Sequence, residues 1–126
     1  MKYRADTTTF IRANSMKAKK IKYFKKMRPD KKICYAASWG YPLDLELKNG
    51  KTFHLVCEFC RGTGWIITDK DTGMLAQNKA ILNKKQLLGY ISTLAPVYSR
   101  ITDSEYYKVQ KDELKQFLER ITKNGK

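Results

Sequence analysis

Two runs of alternating residues on either side of Asn49-Gly50 constrain the fold of this chain more than any other feature. From Pro42 to Lys48, Leu43, Leu45 and Leu47 alternate with Asp44 and Glu46. From Lys51 to Phe59, Phe53, Leu55, Cys57 and Phe59 alternate with His54, Val56 and Glu58. A period of two sends successive side chains to opposite faces, so both runs read as half-buried strands. Asn-Gly joins them as a hairpin. A two-residue loop sets Leu45 beside His54 and Glu46 beside Phe53, which mixes apolar and polar residues on both faces. A three-residue loop with Gly50 left-handed pairs Leu45 with Phe53 and Leu43 with Leu55. Because a one-residue slip turns every side chain over, the pattern selects the three-residue loop. Asp44, Glu46, His54, Glu58 and Cys60 then share the face turned away from the Leu/Phe core.

The rest of the chain supplies elements around this hairpin. Ile33 to Trp39 alternates as a further strand, and Gly64 to Thr68 with Met74 to Lys79 reads as a second hairpin about Asp69-Lys-Asp-Thr-Gly73. That spelling is one residue short of a calcium loop. Asn83 and Gln86 form a capping box for a helix through Leu87, Leu88, Ile91 and Leu94, stopped by Pro96. Val97 to Ile101 and Tyr106 to Val109 read as strands, and Leu114, Phe117, Leu118 and Ile121 mark a closing helix. A rival reading runs one helix from Ser104 to Thr122, because Thr102 and Glu105 also suit a capping box. With 126 residues and 42% apolar content, a single domain over residues 1–126 is expected. Its class is α+β: a basic N-terminal helix, a central mixed sheet with antiparallel hairpins, and two further helices.

Charge adds a location. The chain carries 26 Lys and Arg against 12 Asp and Glu, a net +14; residues 1–32 hold twelve against Asp6 and Asp30, a net +10. Between Thr9 and Met27, Phe10, Ala13, Met16, Ile21, Phe24 and Met27 fall on one side of a helical wheel, interrupted by Lys17 and Lys20. Arg12, Lys19, Lys22, Lys25 and Lys26 cover the other side. The expectation is an amphipathic helix ended by Arg28-Pro29, docked on a core and presenting a basic face to a polyanion. Nucleic acid is the favoured partner, DNA ahead of RNA, and a homodimer is compatible with it. No apolar run is long enough to span a membrane, and the start lacks a secretory signal. A cytoplasmic protein without a disulfide framework is therefore expected from three cysteines.

Three carboxylates and an imidazole on one sheet face suit Mg²⁺ or Mn²⁺, which would bridge to phosphate. The plainer reading of the same face is a polar exterior with an Asp44–His54 cross-strand pair. In the chosen register Glu58 lies four strand positions beyond the partner of Asp44, so one shared ion requires the strands to bulge near Tyr41.

The order helix, three antiparallel strands, helix, strand resembles the core of the PD-(D/E)xK nuclease superfamily. It is most similar to archaeal-type Holliday-junction resolvases, through Pro42-Leu-Asp44-Leu, Asn49-Gly50-Lys51, Val56-Cys57-Glu58-Phe59-Cys60 and Pro96-Val97-Tyr98. The resemblance covers most of residues 10–120 and implies a divalent-metal endonuclease on branched or structured DNA, with Asp44 and Glu58 as ligands and catalytic residues. Cys60 stands where that family has a lysine, and a thiol supplies no fixed positive charge. Arg61 is the expected substitute, ahead of Lys48 or Lys51.

Cys57-Glu-Phe-Cys60-Arg-Gly-Thr-Gly resembles one repeat of the zinc-binding CxxCxGxG modules of DnaJ-type chaperones. Zinc needs four ligands, so Cys34 and His54 would have to join Cys57 and Cys60. That gives the alternative of a zinc-knuckle interaction module. Tyr35, Trp39, Tyr41 and Trp65 lie in or beside strands, where they suit a core or stacking on unpaired bases. The sequence thus yields three readings: the nuclease, the zinc module, and a non-catalytic nucleic-acid or protein binder. The last is of the kind a phage or plasmid encodes to block another nucleic-acid enzyme.

Overall fold

The Leu/Phe hairpin forms in the register that its alternation requires. The structure, a computed structural model, describes residues 9–11, 19–27, 34–47, 50–101 and 104–124. Strand β3 (Cys34–Leu47) pairs antiparallel with β4 (Thr52–Cys60), and Leu43 faces Leu55, Asp44 faces His54, and Leu45 faces Phe53. Gly50 takes φ +94° in the connecting loop, as the three-residue loop demands. Strand β5 (Gly64–Asp69) continues the meander on β4.

Where the N-terminal segment is described, it is not the expected basic helix. Thr9–Ile11 is strand β1, paired with Leu45–Leu47, and Ile21–Met27 is strand β2, paired with Cys34–Gly40. Residues 12–18 lie outside the described residues. The strand wins because Tyr23 and Lys25 alternate toward one side, where the Tyr23 side chain becomes 2% exposed. Ile, Tyr and Phe in this stretch also favour the pleated backbone.

The runs read as two strands, Ile33–Trp39 and Pro42–Lys48, are one long strand that bends near Gly40. A Cβ at Gly40 would stand 2.7 Å from Val56 Cγ1 and 2.8 Å from the Cys57 carbonyl oxygen, so only glycine lets β3 cross β4 this closely. Beyond the bend, β2 and the first half of β3 form a two-stranded ribbon. The ribbon lies near the far side of the meander, since the Lys26 amide donates to the Gly73 carbonyl at 2.8 Å in the turn after β5.

Three helices follow: α1 (Lys84–Ser92), α2 (Leu94–Ile101) and α3 (Glu105–Asn124). Asn83 caps α1 by accepting from the Gln86 amide at 2.8 Å, and Gln86 accepts from the Leu82 amide. Pro96 does not stop a helix: it sits in the first turn of α2, where a missing N–H breaks no helical bond. Val97–Ile101 and Tyr106–Val109 are therefore helical rather than extended. The rival reading of a continuous final helix holds, with Ser104 accepting from the Tyr107 amide at 3.1 Å. Every described strand pairing is antiparallel, so the expected mixed sheet reduces to an antiparallel one.

Met74–Lys79 makes only a bridge from Leu75 to Thr68 instead of a strand. It covers the outer edge of β5: the Ala76 amide donates to Ile67, Trp65 donates to Ile81, and Gln77 exchanges bonds with Ile67 and Trp65. An edge masked in this way cannot recruit another strand. The core lies between the helices and the odd-numbered sheet face, with Leu43, Leu45, Leu55 and Ile67 against Leu87 and Ile91. The α+β class is as expected.

Candidate nucleic-acid interface

The even-numbered sheet face, where the acids were expected to act together, divides into two regions. At its open end Asp44 and His54 are cross-strand partners, with Nδ1 and Oδ1 3.0 Å apart and both side chains about half exposed. At the other end the ribbon covers Glu58, whose Oε1 accepts from Tyr23 Oη at 2.5 Å and Ser38 Oγ at 2.7 Å. Lys25 Nζ stands 3.7 Å from the same oxygen. Partial burial alone would raise the Glu58 carboxyl, but the two hydroxyl donors and the Lys25 charge more than offset it. The net shift is downward.

Asp44 and Glu58 are not brought together. The ladder runs without a bulge from Tyr41 opposite Cys57 to Glu46 opposite Thr52. Four strand positions therefore separate Glu58 from the partner of Asp44, about 13 Å of strand. A hard cation needs its oxygen donors at roughly 2.0–2.6 Å, so this donor set does not fit one Mg²⁺ or Mn²⁺ ion. The bend at Gly40 carries Ser38 and Tyr23 onto Glu58 rather than Asp44. Arg61, the expected substitute for the family lysine, is exposed in the turn after β4. Lys25 is the cation that reaches Glu58.

The cysteines do not fit zinc. Cys57 is fully buried in the core, where desolvation pushes its thiol up to about 12 and keeps it protonated. Cys60, three residues on, lies on the other face beside Glu58, where burial and the carboxylate raise its thiol too. Cys34 is exposed at the ribbon end opposite Met27, and all three cysteines are free. Among the described residues no group of three His, Cys, Asp or Glu side chains is placed to hold a metal.

The expected basic residues separate into those paired with acidic or amide side chains and those without a described ion-pair partner, Lys22 among the latter with its Nζ 5.7 Å from the Phe24 ring centroid. Arg12 lies outside the described residues. Lys26 is taken up by α3: its Nζ is bonded to Gln110 Oε1 and stands 2.9 Å from Glu113 Oε1, and its side chain is only 8% exposed. Phe24 and Tyr35 on the same ribbon face pack on Phe117 of α3, with centroids 5.4 and 4.7 Å apart. Lys25 is engaged with Glu58. Lys19 and Lys22, however, are exposed, and so is Lys20, which the helical reading had counted as an intrusion. None of the three has an ion-pair partner among the described residues.

Lys20 and Lys22 stand beside aromatic side chains. Lys22 is the register partner of Trp39, which is 56% exposed, and Lys20 Nζ lies 5.5 Å from the Tyr41 ring centroid. Directly opposed strand residues hold their Cβ atoms about 4.5–5.5 Å apart, so Lys22 and Trp39 form one patch.

Sequence reasoning missed the most deeply buried acidic group among the described residues. Asp69, at the end of β5, is 3% exposed and accepts from Tyr98 Oη at 2.6 Å and Tyr107 Oη at 2.9 Å. Its other oxygen accepts from the Asp71 and Thr72 amides. Burial raises its carboxyl despite these donors. The turn spelling was legible, but the two tyrosines come from helices that were expected to be strands. No protein-family model, curated protein or solved structure matches this chain.

Proposed function

We propose that this protein binds nucleic acid through the end of the β2–β3 ribbon that adjoins the bend at Gly40, with Lys19, Lys20 and Lys22 on phosphates. The observation that carries this reading is three exposed lysines within four positions, without described acidic partners, one of them (Lys22) the cross-strand partner of exposed Trp39, in a chain of net charge +14. Lysines that fold the chain, Lys25 and Lys26, are excluded from the contact set. Binding, rather than cleavage, is the role this arrangement supports, because Asp44 and Glu58 each have separate partners.

The test measures affinity for duplex and single-stranded DNA and RNA across a salt series, for the native protein and for a Lys19→Glu, Lys20→Glu, Lys22→Glu variant. The native protein is expected to bind more weakly as salt rises. The variant is expected to bind more weakly still, its log–log salt slope reduced by ~0.7–0.9 for each lost phosphate contact. Equal affinity and slope for the two proteins would contradict the reading. Mg²⁺-dependent cleavage lost in both Asp44→Ala and Glu58→Ala would favour the endonuclease expectation instead.

A further inference from the structure

We infer that the ligand of this ribbon is single-stranded nucleic acid and that Trp39 is the platform on which an unpaired base stacks. This rests on the nucleic-acid reading above and adds the class of polymer. A tryptophan 56% exposed on a strand is costly to leave in water. The other tryptophan, Trp65, is 8% exposed and packs its ring against Phe59 at 5.5 Å, so the fold has the means to bury an indole and does not bury this one.

The ribbon explains the difference. Phe24 and Tyr35 occupy the ribbon end that docks on Phe117 of α3, whereas Trp39 lies four residues further along β3, next to the bend at Gly40. There Lys22 is its cross-strand partner and Lys20 approaches Tyr41. An exposed ring beside a cation matches a nucleotide's two recognition elements, a π-face and a phosphate. Bases within a duplex keep their faces stacked on one another, so a flat ring on a strand finds a partner face only in unpaired nucleic acid. Sequence-tolerant binding follows, because every base offers a π-face.

The experiment measures fluorescence anisotropy of labelled single-stranded oligonucleotides and of the matching duplex. It uses the native protein, Trp39→Ala, Trp39→Phe and the triple lysine reversal, with circular dichroism as the check on folding. The native protein is expected to prefer the single strand. Trp39→Ala is expected to lose roughly fivefold or more in single-strand affinity, as one base–aromatic stack is worth ~1–3 kcal/mol. Trp39→Phe should retain most of that affinity, and duplex binding should not change. Unchanged single-strand affinity in Trp39→Ala, with loss in the lysine reversal, would overturn stacking and leave nucleic-acid binding standing. A loss confined to the duplex would make Trp39 a wedge between paired bases and overturn the single-strand class. Absence of binding to any nucleic acid would overturn both readings.

Discussion

Glu58 shows, at the scale of one side chain, how a residue's face can be legible in sequence while its partners are not. The alternation placed it on the polar face, and that placement holds. What could not be read was the ribbon that crosses it, since Tyr23 and Ser38 lie 35 and 20 residues away in sequence. The consequence is a pH effect with a definite sign. A carboxyl whose folded pKa is depressed stabilises the fold above its unfolded value and loses that contribution as pH falls through the folded value. Glu58 therefore contributes fully above its ordinary 4.5 and loses its contribution in more acid solution. Asp69 runs oppositely: its raised pKa favours the fold below its ordinary 3.8 and loses that contribution as pH rises through the folded value. Urea-unfolding midpoints followed from neutral pH into acid should fall less steeply for Glu58→Gln than for the native protein. Parallel curves would remove Glu58 from the account.

At the scale of elements, legibility followed the range of the determining contacts. The β3–β4 hairpin was readable to the residue because its register depends on neighbouring alternation and one glycine-containing loop. The cap of α1 was equally local. Residues 21–27 were misread because Phe24, Met27 and the lysines satisfy a helical wheel nearly as well as a pleat; what decides is Tyr23, buried with its hydroxyl on Glu58 and Thr68. Glu58 and Thr68 lie on the sheet face opposite the main core. Tyr98 and Tyr107 were misread as strand residues because aromatics favour strands only as a weak prior. Here both hydroxyls reach Asp69 from helices.

The ribbon is held to α3 by few contacts, so its docking can be tested by a single change. Phe117 touches Phe24 and Tyr35, and no other described ring joins these two to the helix. Phe117→Ala should destabilise the protein by ~2–3 kcal/mol, less than a fully buried ring because Phe117 is partly exposed. Chemical denaturation with circular dichroism measures this. A change below about 0.5 kcal/mol would mean the ribbon docks by other contacts.

For the whole molecule, the net +14 has two uses. Part of it is internal: Lys26 closes onto α3 and Lys25 onto Glu58, so these charges fasten the ribbon. Part is external, at Lys19, Lys20 and Lys22. A second lysine-rich surface lies along α3, where Lys108, Lys111 and Lys115 share a groove with Lys70, but Asp71, Asp112 and Glu119 line it too. The ribbon end lacks that compensation among described residues, which favours it as the proposed phosphate contact. No described helix is long and apolar enough to cross a membrane.

The most direct test is to photo-cross-link a single-stranded oligonucleotide carrying halogenated uracil to the native protein and map the modified peptides. The account predicts adducts in residues 19–23 and 38–41, with Trp39 or Tyr41 as the attachment point. Adducts confined to the α3 groove at Lys108–Lys115, or no adducts under conditions where binding saturates, would contradict it.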